Sequence, residues 1–137
     1  MRKIASLKRT LFLAALTLIV VMVVAVGCQP DIDEGEIEIR PAPIHEVRVI
    51  VAESYPPQVF VYIKGGLADS CTTFHELTTE RNGNTINITV TTQRSKDEIC
   101  AQVYGFFEKN VNLGSDFISG ETYTINVNDE TTTFVMQ

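Results

Sequence analysis

Acidic residues are missing from the first 27 positions of the chain, and helical periodicity is missing from everything after them. With two histidines, His45 and His75, and no C-x-x-C pair, the sequence lacks the ligand spacing of a zinc site. None of the serines beyond the N-terminus, Ser54, Ser70, Ser95, Ser115 and Ser119, sits in a G-x-S-x-G elbow, and nothing gathers one of them with a histidine into a triad. His75-Glu76 starts like the H-E-x-x-H of metalloproteases but continues Leu77-Thr78-Thr79, so the second ligand is absent and His75 reads as a surface strand residue. No catalytic residue, cofactor or metal ligand is expected. Basic residues are scarce too. Four of the eleven are Arg2, Lys3, Lys8 and Arg9, so residues 28–137 set seven basic side chains against all seventeen acidic ones, a formal charge of −10. A surface of that sign repels nucleic acid, and no nucleic-acid partner is expected.

What the first 27 residues do have is a basic start followed by Leu11 to Val26, 16 residues without a charge. That is the layout of an export signal, expected at 1–27. A membrane-spanning helix needs about 17 apolar residues, so length alone leaves a retained helix open. Ala25-Val26-Gly27-Cys28 resembles the lipobox of bacterial lipoproteins, in which the cysteine becomes lipidated and then N-terminal; Gly27 and Cys28 match, while Ala25 departs from the usual leucine. The resemblance implies a lipid anchor at Cys28 and a place in the bacterial cell envelope, on the extracytoplasmic side of a membrane. Two acyl chains make a durable anchor where one binds only marginally. With Cys28 so assigned, Cys71 and Cys100 are left as an even pair in an exported chain, which favours a disulfide; the alternative is two buried free thiols.

Residues 28–43 carry five acidic side chains, one glycine and three prolines after the cysteine, the composition of an extended, solvated tether. Asp31, Asp33, Glu34 and Glu36 lack the order and offsets of an EF-hand, and repulsion from anionic lipid explains them better than calcium does.

From 44 to 137 the pattern has period two: Val47, Val49 and Val51; Val59, Val61 and Ile63; Ile86, Ile88 and Val90; Tyr123, Ile125 and Val127 alternate with polar neighbours. Asn82-Gly83 marks a hairpin, since both central residues of a type I′ turn need positive φ. Strands are expected near 44–53, 57–64, 72–81, 84–93, 99–109, 121–128 and 131–136. Seven short strands after an N-terminal signal helix point to an all-β, antiparallel, two-sheet sandwich.

The stretch Phe117 to Tyr123, apolar-x-x-Gly-x-x-Tyr, resembles the tyrosine corner of fibronectin type III and other immunoglobulin-like domains. The resemblance implies that the Tyr123 hydroxyl bonds back to upstream backbone, that Gly120 makes the turn, and that the domain is immunoglobulin-like. It covers about the last 20 residues. The absence of tryptophan and cysteines only 29 positions apart depart from antibody domains, so the disulfide is expected to tie the loop before the third strand to the fifth, not to pin the two sheets together. Much of residues 55–129 is also similar to small secreted bacterial proteins of uncharacterised activity.

Phe60 and Tyr62 fall on the face opposite Val59, Val61 and Ile63, and Tyr104 and Phe106 fall opposite Val103 and Phe107. Either the 94–98 segment or loops cover this second face, or it is an exposed aromatic patch for a protein or glycan partner of the envelope. The expectation is a membrane-anchored binding or structural accessory module. The alternative is a small protease inhibitor presenting loops such as Ser54-Tyr55-Pro56-Pro57 or Gly65 to Ser70 from the sandwich.

Overall fold

The computed structural model describes residues 35–137. The expected signal peptide at 1–27, Cys28 and the acidic residues through Glu34 lie outside the described residues. Eight strands follow in order: β1 (Ile37–Pro41), β2 (Ile44–Ala52), β3 (Gln58–Leu67), β4 (Thr73–Asn82), β5 (Thr85–Ser95), β6 (Gly105–Gly114), β7 (Thr122–Val127) and β8 (Glu130–Val135). Among the described residues no helix is long and apolar enough to cross a membrane.

The strands form two sheets. One has three strands in the order β2-β3-β6; the other has five, with β4 on one side of β5 and both β1 and β7 on the other, β8 completing the row beyond β7. Period-two alternation puts Val59, Val61 and Ile63 of β3, Ile86, Ile88 and Val90 of β5, and Tyr123, Ile125 and Val127 of β7 on facing inner surfaces, all buried. Val47 and Val49 of β2, Leu77 of β4 and Val111 and Leu113 of β6 pack around them. Burying a Val or Ile side chain is worth about 1.5–3 kcal/mol, so this shared layer is the main stabilising term of the sandwich. At one open side the Lys109 ammonium lies 4.0 Å over the Phe74 ring, which covers the apolar interior while keeping the charge in water.

Four expectations are corrected. The sandwich has eight strands, not seven, because Ile37–Pro41 pairs antiparallel with Pro41↔Thr91 through Ile37↔Ser95 on β5. The folded body therefore starts ahead of residue 44, and the tether expected across 28–43 gives up its second half to β1. The fifth expected strand, 99–109, lies at 105–114, because residues 100–104 are drawn aside to the β3–β4 turn while the inward series Phe107, Lys109, Val111, Leu113 continues past the polar pair Lys109-Asn110. Finally, the sheets are not antiparallel throughout: β5 and β7 run parallel from Thr85↔Thr124 to Ile88↔Val127. Between those strands the chain crosses to the other sheet, runs back as β6 and returns, two reversals that restore its direction. An immunoglobulin-type sandwich keeps this pairing antiparallel.

Tyr123 is buried, its ring stacked on Phe134 and edge-to-face with Phe117. Its hydroxyl accepts a hydrogen bond of 2.9 Å from the Ile118 N–H, five residues upstream. Gly120, at φ +86°, makes the turn between them, and its own N–H donates to the Met136 carbonyl at 2.7 Å.

Candidate recognition face

Phe60, Tyr62 and Phe106 lie on the outer surface of the β2-β3-β6 sheet, and Tyr104 joins Phe106 at one end of it. Register places the side chains: Ile50 opposite Phe60, Arg48 opposite Tyr62 and Glu46 opposite Lys64 on one side, with Asn112, Asn110, Glu108 and Phe106 opposite Phe60, Tyr62, Lys64 and Gly66 on the other. Residues directly opposite in an antiparallel pair share a face, so one strip runs from Ile50 and Phe60 through Tyr62 to Phe106. Its far end is uncovered, with Tyr104 48% and Phe106 54% exposed, while Phe60 and Tyr62 are half-buried.

The strip is densest at the Phe106 end. His45, Tyr104 and Phe106 stand edge-to-face in a triangle with ring centroids 5.4–5.8 Å apart. His45 Nε2 and the Tyr104 hydroxyl share a hydrogen bond of 2.6 Å. Edge-to-face pairs of this kind contribute about 0.5–1.5 kcal/mol each beyond area burial, enough to order three rings that the core does not hold. Gly66 makes room for them. A Cβ there would fall 1.9 Å from the Tyr104 hydroxyl and 2.8 Å from His45 Nε2.

Cations lie against the rings. The Lys64 ammonium is 4.6 Å from the Phe106 centroid, and the Arg48 guanidinium lies 4.3 Å over Tyr62 while pairing with Glu46 at 2.7 Å. The Tyr62 hydroxyl is held above the ordinary phenol range, first by partial burial and then by the neighbouring Glu108 carboxylate, so it stays protonated and able to donate. Aromatic rings and arginine, here Tyr62, Tyr104, Phe106 and Arg48, are residue types enriched in protein interfaces.

The face is fastened near the Phe106 end by the Cys71–Cys100 disulfide, Cα–Cα 5.6 Å, which joins the β3–β4 turn to the segment ahead of β6. Asp69 organises that turn. Buried at 7% exposure, it accepts hydrogen bonds from the Thr72 hydroxyl at 2.7 Å, the Thr72 N–H at 2.9 Å and the Cys71 N–H at 3.1 Å. Those donors, led by the Thr72 hydroxyl, hold its carboxyl below the ordinary range, with Arg94, 3.5 Å away, adding to them. Asp69 and the two sulfurs lie within 4.8 Å of one another, a spacing that would suit a metal, but sulfurs bonded to each other present no thiolate. A cavity of about 250 Å³ opens beside this turn between Glu38, Arg40, Pro43, Ala68, Thr92 and Arg94; Arg40 pairs with Glu38 and Arg94 Nη2 with Asp69, while Arg94 Nε is buried without a hydrogen-bond partner.

His75, the other histidine, sits half-buried on β4 with Nδ1 3.0 Å from the Thr91 hydroxyl, on the far sheet from His45. Asn87, in the sequon Asn87-Ile88-Thr89, accepts a hydrogen bond from Asn126 across the parallel pair at 2.8 Å. Nothing in the sequence marks His45, Arg48, Lys64 and Gly66 as members of this face, and Gly65 to Leu67, expected in a presented loop, are the end of β3. Gly65-Gly66 reads as turn punctuation, and the two cations read as the solvent side of ordinary alternation; only the register reveals that they border the aromatic residues.

The fold and its disulfide define the class: a small two-sheet β-sandwich with a crosslinked loop pair. Residues 61–136, from the middle of β3 to the end of β8, match the family described as "ORF11 beta-sandwich domain", and the chain belongs to that family. It is similar to the "Uncharacterized 10.2 kDa protein in HgiCIIM 5'region" of Herpetosiphon aurantiacus, 48% identical over 86 residues that cover 63% of this chain and 90% of the relative. Two further proteins of that organism, in the HgiBIM and HgiEIM 5' regions, are each 49% identical over 76 residues, 56% of this chain and 92% of the relative. No solved structure matches.

Proposed function

We propose that the protein is a lipid-anchored, extracytoplasmic accessory module that uses the outer face of its β2-β3-β6 sheet to hold a protein or glycan of the cell envelope. One observation carries the reading: the sheet gathers His45, Tyr62, Tyr104 and Phe106 on its solvent face with Arg48 and Lys64 laid against them, whereas the outer face of the other sheet has no phenylalanine or tyrosine and is mostly threonine, asparagine and glutamate, with Ile37, Ile39 and Val135 exposed on its β1 and β8 strands. Solvation alone asks for the second kind of surface and not the first. Anchoring is supported by the resemblance of Ala25-Val26-Gly27-Cys28 to a lipobox and by the basic, then apolar, start of the chain.

Membrane-extracted protein, compared with Phe106→Ala and Tyr62→Ala, tests the face. The wild type should retain a stoichiometric companion that both variants lose, and equal retention by all three would end the reading. Intact mass tests the anchor: it predicts a chain beginning at a diacylglyceryl Cys28, and a chain beginning at Met1 with no lipid mass contradicts it.

A second reading has its own support. Tyr55 is fully exposed at the tip of the β2–β3 connection, where the Ser54 hydroxyl donates to the Pro56 carbonyl at 2.9 Å and stiffens the loop. A protease inhibitor would present such a residue, and inhibition in a protease panel that disappears in Tyr55→Ala would favour it.

A further inference from the structure

We infer that the Cys71–Cys100 disulfide is a positioning device for the recognition face, so that opening it releases Tyr104 from His45 and Phe106 while the core stays folded. The structural part stands on geometry; its functional meaning rests on the reading of this face given above.

Residues 96–104 join Ser95 of β5 to Gly105 of β6 without strand pairing. Apolar packing does not hold them: Ile99 is fully exposed, Val103 is 64% exposed, and no residue of the segment belongs to the core. Their ties to the rest of the fold are few. The Lys96 N–H donates to the Glu36 carbonyl at 2.9 Å at the start. Further along come the disulfide and, beside it, a reciprocal pair in which the Ser70 N–H donates to the Ala101 carbonyl at 3.1 Å and the Ala101 N–H donates to Ser70 Oγ at 2.9 Å. Ser70 adjoins Cys71 and Ala101 adjoins Cys100, so the covalent bond and the hydrogen-bonded pair form one clasp. Three residues beyond it Tyr104 lands over Gly66 against His45.

A bond whose loss frees one exposed segment acts on local order more than on the core, because local openings have their own free energies below the global one. The surroundings also favour exchange with an external dithiol. Arg94 Nη2 lies 3.5 Å from Cys100 Sγ, and a guanidinium at that distance stabilises the departing thiolate. In the first step a dithiol thiolate attacks Cys71 Sγ, the Cys71–Cys100 bond breaks and Cys100 leaves as thiolate. In the second the reductant's other thiol attacks the mixed disulfide and expels Cys71. Two electrons and two protons pass to the cysteines, and the dithiol closes to a cyclic disulfide.

The test is aromatic NMR on the full chain in detergent, before and after complete reduction with dithiothreitol, and on the Cys71→Ala/Cys100→Ala double variant. Cross-peaks joining Tyr104 to His45 and to Phe106 should vanish in both opened forms, while those joining Tyr123, Phe117 and Phe134 stay. Persistence of the first set after complete reduction overturns the inference, as does loss of both sets together, which would make the bond a staple of the whole fold. The same samples separate the inference from the reading it rests on. If the rings disperse and the companion captured by Phe106 and Tyr62 is still retained, positioning stands and Tyr104 drops out of the recognition face.

Discussion

The side-chain amide of Asn128 stands in for a strand residue opposite Val90: its Oδ1 accepts from the Val90 N–H and its Nδ2 donates to the Val90 carbonyl, each at 2.9 Å. The same Nδ2 donates to the Ala42 carbonyl at 2.8 Å. β7 and β1 lie end to end along one side of β5, and the amide fills the gap between them, supplying the acceptor for the Val90 N–H while the Ala42 N–H also donates to the Val90 carbonyl at 2.9 Å. The backbone of Asn128, at φ +48°, turns the chain from β7 into β8 at the same point.

Replacing Asn128 by glycine keeps the left-handed backbone available but leaves the N–H of fully buried Val90 without its partner, at a cost of roughly 1–3 kcal/mol. Asn128→Ala should cost about 1 kcal/mol more, because a Cβ is disfavoured at positive φ. Urea denaturation of the two variants separates the amide from the backbone. Equal stability of Asn128→Gly and wild type would show that the gap needs no filling.

Gly65 and Gly66 are adjacent on β3 and face opposite ways, which makes them a paired experiment. A Cβ on Gly65 would meet the Phe107 ring, its nearest atom 2.1 Å away, inside the sandwich, and overpacking there should cost about 1–3 kcal/mol. A Cβ on Gly66 meets the ends of Tyr104 and His45, which can swing into solvent. Gly66→Ala should therefore keep the unfolding midpoint near wild type and abolish the His45–Tyr104 contact, read by NMR. A large stability loss at Gly66 would mean that the ring cluster is part of the core.

Much of this architecture is visible in the sequence because an inward row of valines and isoleucines at period two needs only one strand to be recognised. The β3, β5 and β7 rows are such cases, and Tyr123 with Gly120 announces its own turn. β1 is not visible. Ile37-Glu38-Ile39-Arg40 sits among acidic residues and prolines, and it becomes a strand only because β5, more than 50 residues later, offers it an edge. The β6 boundary is hidden for a similar reason, since the disulfide moves residues 100–104 aside. Phe60, Tyr62, Tyr104 and Phe106 are legible from parity alone, but His45, Arg48 and Lys64 join them through cross-strand register.

Tyr123→Phe removes a hydroxyl that accepts from the Ile118 N–H, and Ile118 is exposed enough for water to take over part of that bond. The expected loss is about 1 kcal/mol, with the ring packing intact. Tyr55→Phe, at a fully exposed site, should change stability by less than about 0.5 kcal/mol and serves as the control. Indistinguishable variants would remove the structural role of the hydroxyl.

Because the Asp69 carboxyl is held below its ordinary value of 3.8, it contributes stability that is fully present above that value and is lost as pH falls through the lower folded one. Asp69→Asn keeps the shape but not the charge. It should be less stable than wild type near neutral pH, and the gap should close in strong acid, where both side chains are neutral. Urea midpoints followed down in pH check this, and a pH-independent gap would assign the turn to packing instead.

The central claim is that the outer face of the β2-β3-β6 sheet is the surface the protein uses. A photo-crosslinking benzophenone residue placed at Phe106, and in a second variant at Thr133 on the outer face of the other sheet, tests it directly in intact cells. The account predicts a discrete adduct from position 106 and none from 133; an adduct from 133 alone, or from neither position, would contradict it.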